Sequence, residues 1–150
     1  IYIRGMGENE FVNVAKQYIS AKISKEFFKK VAPLVKERIT KLSEIDGLVS
    51  FLWKEPQIGR ELFESGEASR HIASALHALS SISEWKLEII NEMLEKEIEE
   101  KHFKKGDFYM SLRLGITGSR VTPTINESIE ILGQDKVLHR LEEAEKVLLS

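Results

Sequence analysis

The chain has 150 residues, no cysteine and a formal net charge of −2, with 42% apolar and 31% charged residues. That length suits one domain or two small helical subdomains sharing a seam, and the missing cysteines exclude disulfides and thiolate metal sites. No apolar run approaches the roughly 20 residues of a membrane span, and the near-neutral charge argues against a uniformly basic nucleic-acid module.

The chain opens on Ile1, and Ile1–Gly7 has neither the apolar core nor the small-residue cleavage site of a signal peptide. A segment of a longer cytoplasmic chain is expected. Glu10–Ile23 places Phe11, Val14, Tyr18 and Ile19 at helical spacing, with Asn9 as its cap. Ser24 starts a second helix with Phe27, Phe28, Val31, Leu34 and Val35 inward, and Pro33 should kink or split it. Thr40 and Ser43 offer caps for Glu44–Trp53, whose stripe is Ile45, Leu48, Val49 and Leu52, and Pro56 closes that helix. Gln57–Gly66 is the least regular stretch and reads as a seam, dividing the chain into helical subdomains over 1–58 and 59–150.

Beyond the seam, Ala68–Leu79 reads as a helix through Ile72, Ala75, Leu76 and Leu79. Ser81 with Glu84 is a capping-box signal, so the next helix is expected to begin there and run through Trp85, Ile89, Met93 and Leu94 to Ile98. Lys101–Asp107 reads as a polar loop, Phe108–Ile116 as a helix and Ser119–Thr124 as a turn. A short helix stops at Gly133, and a terminal helix carries Val137, Leu138, Leu141, Val147 and Leu148. Nothing alternates with period two between hairpin turns, so the class is all-α.

No phosphate loop or nucleophile elbow occurs. His71 and His77 are six apart, on different faces of a helix, and no pair of histidines has metal-ligand spacing. No catalytic constellation stands out. Glutamates from Glu84 to Glu100 crowd one helix, while basic residues gather from Lys25 to Lys41 and again at Lys101, Lys104, Lys105, Arg113 and Arg120. Such segregation gives either a cationic face on a neutral protein or ordinary solvated helix faces.

The stretch that concentrates chemistry is Ser111–Gly133. Arg113 leaves the inward side of a helix between Leu112 and Leu114, so its charge needs a ligand or an internal glutamate. Arg120 sits in a Gly- and hydroxyl-rich turn with Thr117, Ser119 and Thr122, which either meet a ligand or cap the next helix. Thr122 directly before Pro123 is held extended, which favours capping. Cations, hydroxyls and free N–H groups at a helix mouth suit an anion or the edges of unstacked bases. Trp53 and Trp85 fall on apolar stripes and read as core.

This stretch, with its Leu-Arg-Leu-Gly-Ile-Thr-Gly-Ser, Thr-Pro and Glu-Ser-Ile-Glu-Ile-Leu-Gly wording, resembles a segment near the C-terminus of bacterial-type glutamyl-tRNA synthetases. Arg38–Ile45, the Phe51-Leu52-Trp53 run before Pro56, and Asp135–Leu141 are similar to further segments of that family, in the same order. The resemblance covers most of the chain and implies the all-α, two-subdomain anticodon-binding half of such an enzyme. The catalytic half, with ATP and Mg²⁺, would lie elsewhere and would attach glutamate to tRNA(Glu). This part would need no cofactor, carry no catalytic residue and act as a monomer beside that half.

By position, the resemblance implies that Arg113 contacts the later anticodon bases, that Thr122, Pro123 and Ile125 pack on them, and that Arg38 reads the first base. Thr117 and Arg120 belong to the same turn, and Lys101, Lys104 and Lys105 would hold phosphates. The chain departs from the family at Thr124, where Pro or Gly is usual, and at Asn126, where Phe is common. A different class of function, a helical module docking a protein through its acidic and apolar faces, fits the same composition.

Overall fold

The computed structural model describes residues 6–15, 32, 33, 35, 36, 50–52 and 54–149. Among them the fold is all-α, with no strand. The helices are α1 (Glu8–Ala15), α2 (Ala68–Ser80), α3 (Leu87–Lys101), α4 (Lys105–Thr117), α5 (Ile125–Leu132) and α6 (Gln134–Leu149), with single 3-10 turns at Ser50–Leu52 and Arg60–Leu62. None of these is long and apolar enough to cross a membrane. Asn9 lies inside α1 rather than capping it. The expected extension of that helix to Ile23, and most of the two helices expected before Trp53, lie outside the described residues. Pro33 sits in helical backbone beside the buried Val35.

α2 is the central helix, packed on α6, α3 and α4. Its Ile72, Ala75 and Leu79 meet Val137, Leu141 and Ala144 of α6 and Leu112 and Ile116 of α4 in one core. Burying each large aliphatic chain there contributes about 1.5–3 kcal/mol. The helices approach most tightly at Gly115, where a Cβ would lie 3.1 Å from Ile72 Cδ1 and 3.3 Å from Ala144 Cβ and would make those neighbours shift.

Long-range contacts set the helix ends that position the site. The Ser81–Glu84 pair does not start α3. Ser81 Oγ instead donates to the Ala78 carbonyl at 2.7 Å, and Glu84 pairs with Lys86 at 2.7 Å. The α3 start is made by Glu130 of α5, whose Oε2 accepts from the Leu87 N–H at 2.9 Å while its carbonyl accepts from Trp85 Nε1 at 3.2 Å. α3 ends on His102, left-handed at φ 56°, and this turns Phe103 inward against His71 and Phe108. α4 therefore begins at Lys105, three residues before the expected Phe108, and the polar loop shrinks to 102–104.

Candidate functional site

Starting α4 at Lys105 puts Lys105, Tyr109 and Arg113 four residues apart, in one line along the helix. Asn91 and Glu95 have the same spacing on α3, and Thr124, Ile125 and Asn126 form the entry to α5. With Gly106 these residues line one cleft of about 540 Å³. Tyr109 Oη donates to Glu95 Oε1 at 3.0 Å, and Lys105 Nζ pairs with the same oxygen at 2.9 Å. Asn126 Nδ2 donates to Asn91 Oδ1 at 2.6 Å. The buried Asn126 Oδ1 has no hydrogen-bond partner among the described residues, a condition that costs about 1–3 kcal/mol unless something reaches it.

Burial pushes the Tyr109 phenol up to about 12, reinforced by Glu95 and opposed by a bond from Asn126. The Lys105 hydrogen bond holds the Glu95 carboxyl below its ordinary value against some desolvation, with Tyr109 adding to the effect. At neutral pH the cleft thus presents a fixed carboxylate, a neutral phenol and two cations. Donors and acceptors converge on a concave surface with an apolar floor at Ile125, the arrangement that orients a planar, hydrogen-bonding ligand.

The expected site residues divide. Arg113, Ile125 and Lys105 come together in the cleft. Thr122 and Pro123 are buried just before α5, and Thr122 Oγ1 donates to the Pro123 carbonyl at 2.8 Å. Neither Thr122 nor Thr124 gives α5 a side-chain cap. Thr117 closes the end of α4: its Oγ1 lies 2.7 Å from the Arg113 carbonyl and accepts from the Ser119 N–H at 3.1 Å. Arg120 pairs with Glu64 and does not line the cleft. Lys101 pairs with Glu97 at 2.9 Å, and Lys104 is exposed just ahead of α4. Arg38 lies outside the described residues. Sequence reasoning missed Asn91, Glu95 and Tyr109. The four-residue spacing of Lys105, Tyr109 and Arg113 was the available signal, and assigning 101–107 to a loop hid it.

The other end of α4 is held from behind. Arg140 is buried and donates from Nη1 to the Ile116 carbonyl at 3.0 Å, tying the last turn of α4 to α6. Burial lowers its pKa, opposed by the charge of Glu55. Glu55 also pairs with His139 at 2.9 Å, and Arg60 donates to the Leu148 carbonyl at 3.2 Å. These contacts strap residues 55–60 across α6 beside a second cleft of about 430 Å³. Among the described residues no group of three or more His, Asp or Glu is placed to hold a metal ion.

Known proteins resemble this chain over most of its length. A family model described as an anticodon binding domain matches residues 10–145. Glutamate–tRNA ligase 1 of Fervidobacterium nodosum is 31% identical over 140 residues, covering 93% of this chain and 29% of its own. The glutamate–tRNA ligase of Treponema denticola is 35% identical over 126 residues, covering 80% of this chain and 25% of its own. A crystal structure of a glutamate tRNA ligase from Elizabethkingia meningosepticum, in complex with its amino acid, superposes with a TM-score of 0.82 at 24% identity. It covers 98% of this chain, which spans 30% of that one.

Proposed function

The chain belongs to the anticodon-binding domain family, and on that footing we propose that it reads the anticodon arm of tRNA(Glu) for a glutamate–tRNA ligase. The observation that carries this reading is the cleft between α3, α4 and α5, where Arg113 and Lys105 stand beside Ile125 at the entry to α5. Splayed loop bases are read by arginine and polar side chains at their edges, while scattered lysines hold phosphates.

In this reading Arg113 contacts the later anticodon bases and Ile125 packs on them. Thr122 and Pro123 set the backbone that presents Ile125, and Thr117 sets the end of the helix that presents Arg113. Arg38 reads the first base. Arg120 exchanges Glu64 for a phosphate, and Lys101, Lys104 and Lys105 hold further phosphates. The domain is a cytoplasmic monomer of two helical subdomains, 1–58 and 59–150, beside the catalytic half of its own enzyme. That half would use ATP and Mg²⁺ to attach glutamate to the tRNA; this part binds and has no catalytic residue.

The test is binding of this chain to tRNA(Glu) and to a copy with a changed anticodon, at low and moderate salt. Preference for the native anticodon supports the reading. A folded sample that binds neither tRNA overturns it and favours a protein-docking module.

A further inference from the structure

We propose that Glu95 is a second base-reading residue of the cleft, its carboxylate accepting from the exocyclic amino group of a cytosine whose ring acceptors are held by Arg113. This role presupposes that the cleft takes anticodon bases, as proposed for it, and adds the residue and the base.

A carboxylate is out of place on a surface that only holds phosphates, because each phosphate repels it. Glu95 is nevertheless fixed there. It comes from α3, and two groups of α4 grip it: Lys105 Nζ at 2.9 Å and the Tyr109 hydroxyl at 3.0 Å, both on Oε1. Its side chain keeps 46% of its exposure, so it remains reachable. Beside Tyr109, Asn126 of α5 donates to Asn91 Oδ1 of α3 at 2.6 Å, tying the third wall of the cleft to the helix that carries Glu95.

An ionised carboxylate only accepts and a guanidinium only donates. Together they select an edge with an amino group beside adjacent acceptors. Cytosine presents its N4 amino group next to N3 and O2, and those two acceptors suit the forked donor of Arg113. Uracil places a carbonyl oxygen where cytosine has the amino group, facing the carboxylate. Adenine offers the fork a single acceptor on that edge. Guanine has a single acceptor, O6, beside the N1–H and N2 donors that a carboxylate takes, and its second acceptor, N7, lies on another edge. On one edge, cytosine is the base that satisfies both residues.

The experiment measures binding of anticodon stem-loops, with C or U at each anticodon position in turn, to the wild-type chain, Glu95→Gln and Tyr109→Phe. Wild type should prefer C over U by about tenfold at one position. Glu95→Gln, whose amide also donates to the uracil carbonyl, should bring that ratio near one and leave the other positions unchanged. Tyr109→Phe should lower the same ratio in part. Unfolding curves of both variants confirm the fold. Retention of the wild-type ratio in Glu95→Gln, or an equal loss on every stem-loop, overturns the role of Glu95 while the anticodon reading stands. Absence of any anticodon preference in the wild type overturns both.

Discussion

Replacing Gly118 by Ala tests whether the turn after Arg113's helix is held by its contact with Pro56. Gly118 has φ 71° and donates its N–H to the Leu114 carbonyl at 3.0 Å, closing α4 in the left-handed conformation that disfavours a Cβ. That conformation costs a non-glycine residue about 1–2 kcal/mol. A Cβ at this position would also stand 2.8 Å from the Cβ of Pro56, well inside the roughly 3.5–4.0 Å optimum for carbon pairs. Overpacking of this kind costs about 1–3 kcal/mol, so Gly118→Ala should destabilise by about 2–5 kcal/mol in all. For a chain of this size each kcal/mol lowers the melting midpoint by about 2–4 °C. The assay is urea unfolding of wild type, Gly118→Ala, Pro56→Gly and the double variant. The double variant should recover the steric part of the loss, leaving about 1–2 kcal/mol for the backbone. A Gly118→Ala protein as stable as wild type, or strictly additive losses in the double variant, would refute this account of the turn.

Three other outcomes are expected. His71 is buried with Nδ1 2.8 Å from Ser111 Oγ and Nε2 without a hydrogen-bond partner among the described residues; burial lowers its pKa below 6.5 against the pull of Glu67 and Asp107. The unfolded chain therefore takes up the proton first, and stability should fall as pH drops from about 6.5 toward the folded-state value. Melting curves between pH 7 and 5 should flatten in His71→Gln, and an unchanged slope would remove His71 as the cause. Arg113→Ala should weaken tRNA(Glu) by about 1–3 kcal/mol and loosen anticodon preference, measured as the ratio of affinities for native and altered anticodons. Equal loss on every tRNA would count against base reading. Lys104→Ala, at an exposed lysine just ahead of α4, should weaken all tRNAs alike and reduce the salt slope of binding by about 1; an unaltered slope would place Lys104 outside the phosphate footprint.

What the sequence by itself determined is local. Apolar spacing marks the faces of α2, α5 and α6, because a 3.6-residue period is written in neighbouring residues. Gly118 and Gly133, at φ 71° and 92°, stand where helices stop. Arg113 stands out as a candidate because a cation between two inward leucines must be answered, and it lines the cleft. Tertiary structure decided what local pattern does not encode. Glu130 starts α3 from 43 residues away, so the nearby capping signal at Ser81 was overruled. Turning Phe103 into the core against His71 and Phe108 let α4 begin at Lys105, and this aligned Tyr109 with Arg113. Packing then drew Arg120 to Glu64 and brought Glu95, which reads in sequence as one glutamate among many, to the cleft. Periodicity says which side of each helix is apolar. Which polar faces meet depends on contacts between residues far apart in the chain, and those exist only once the core has packed.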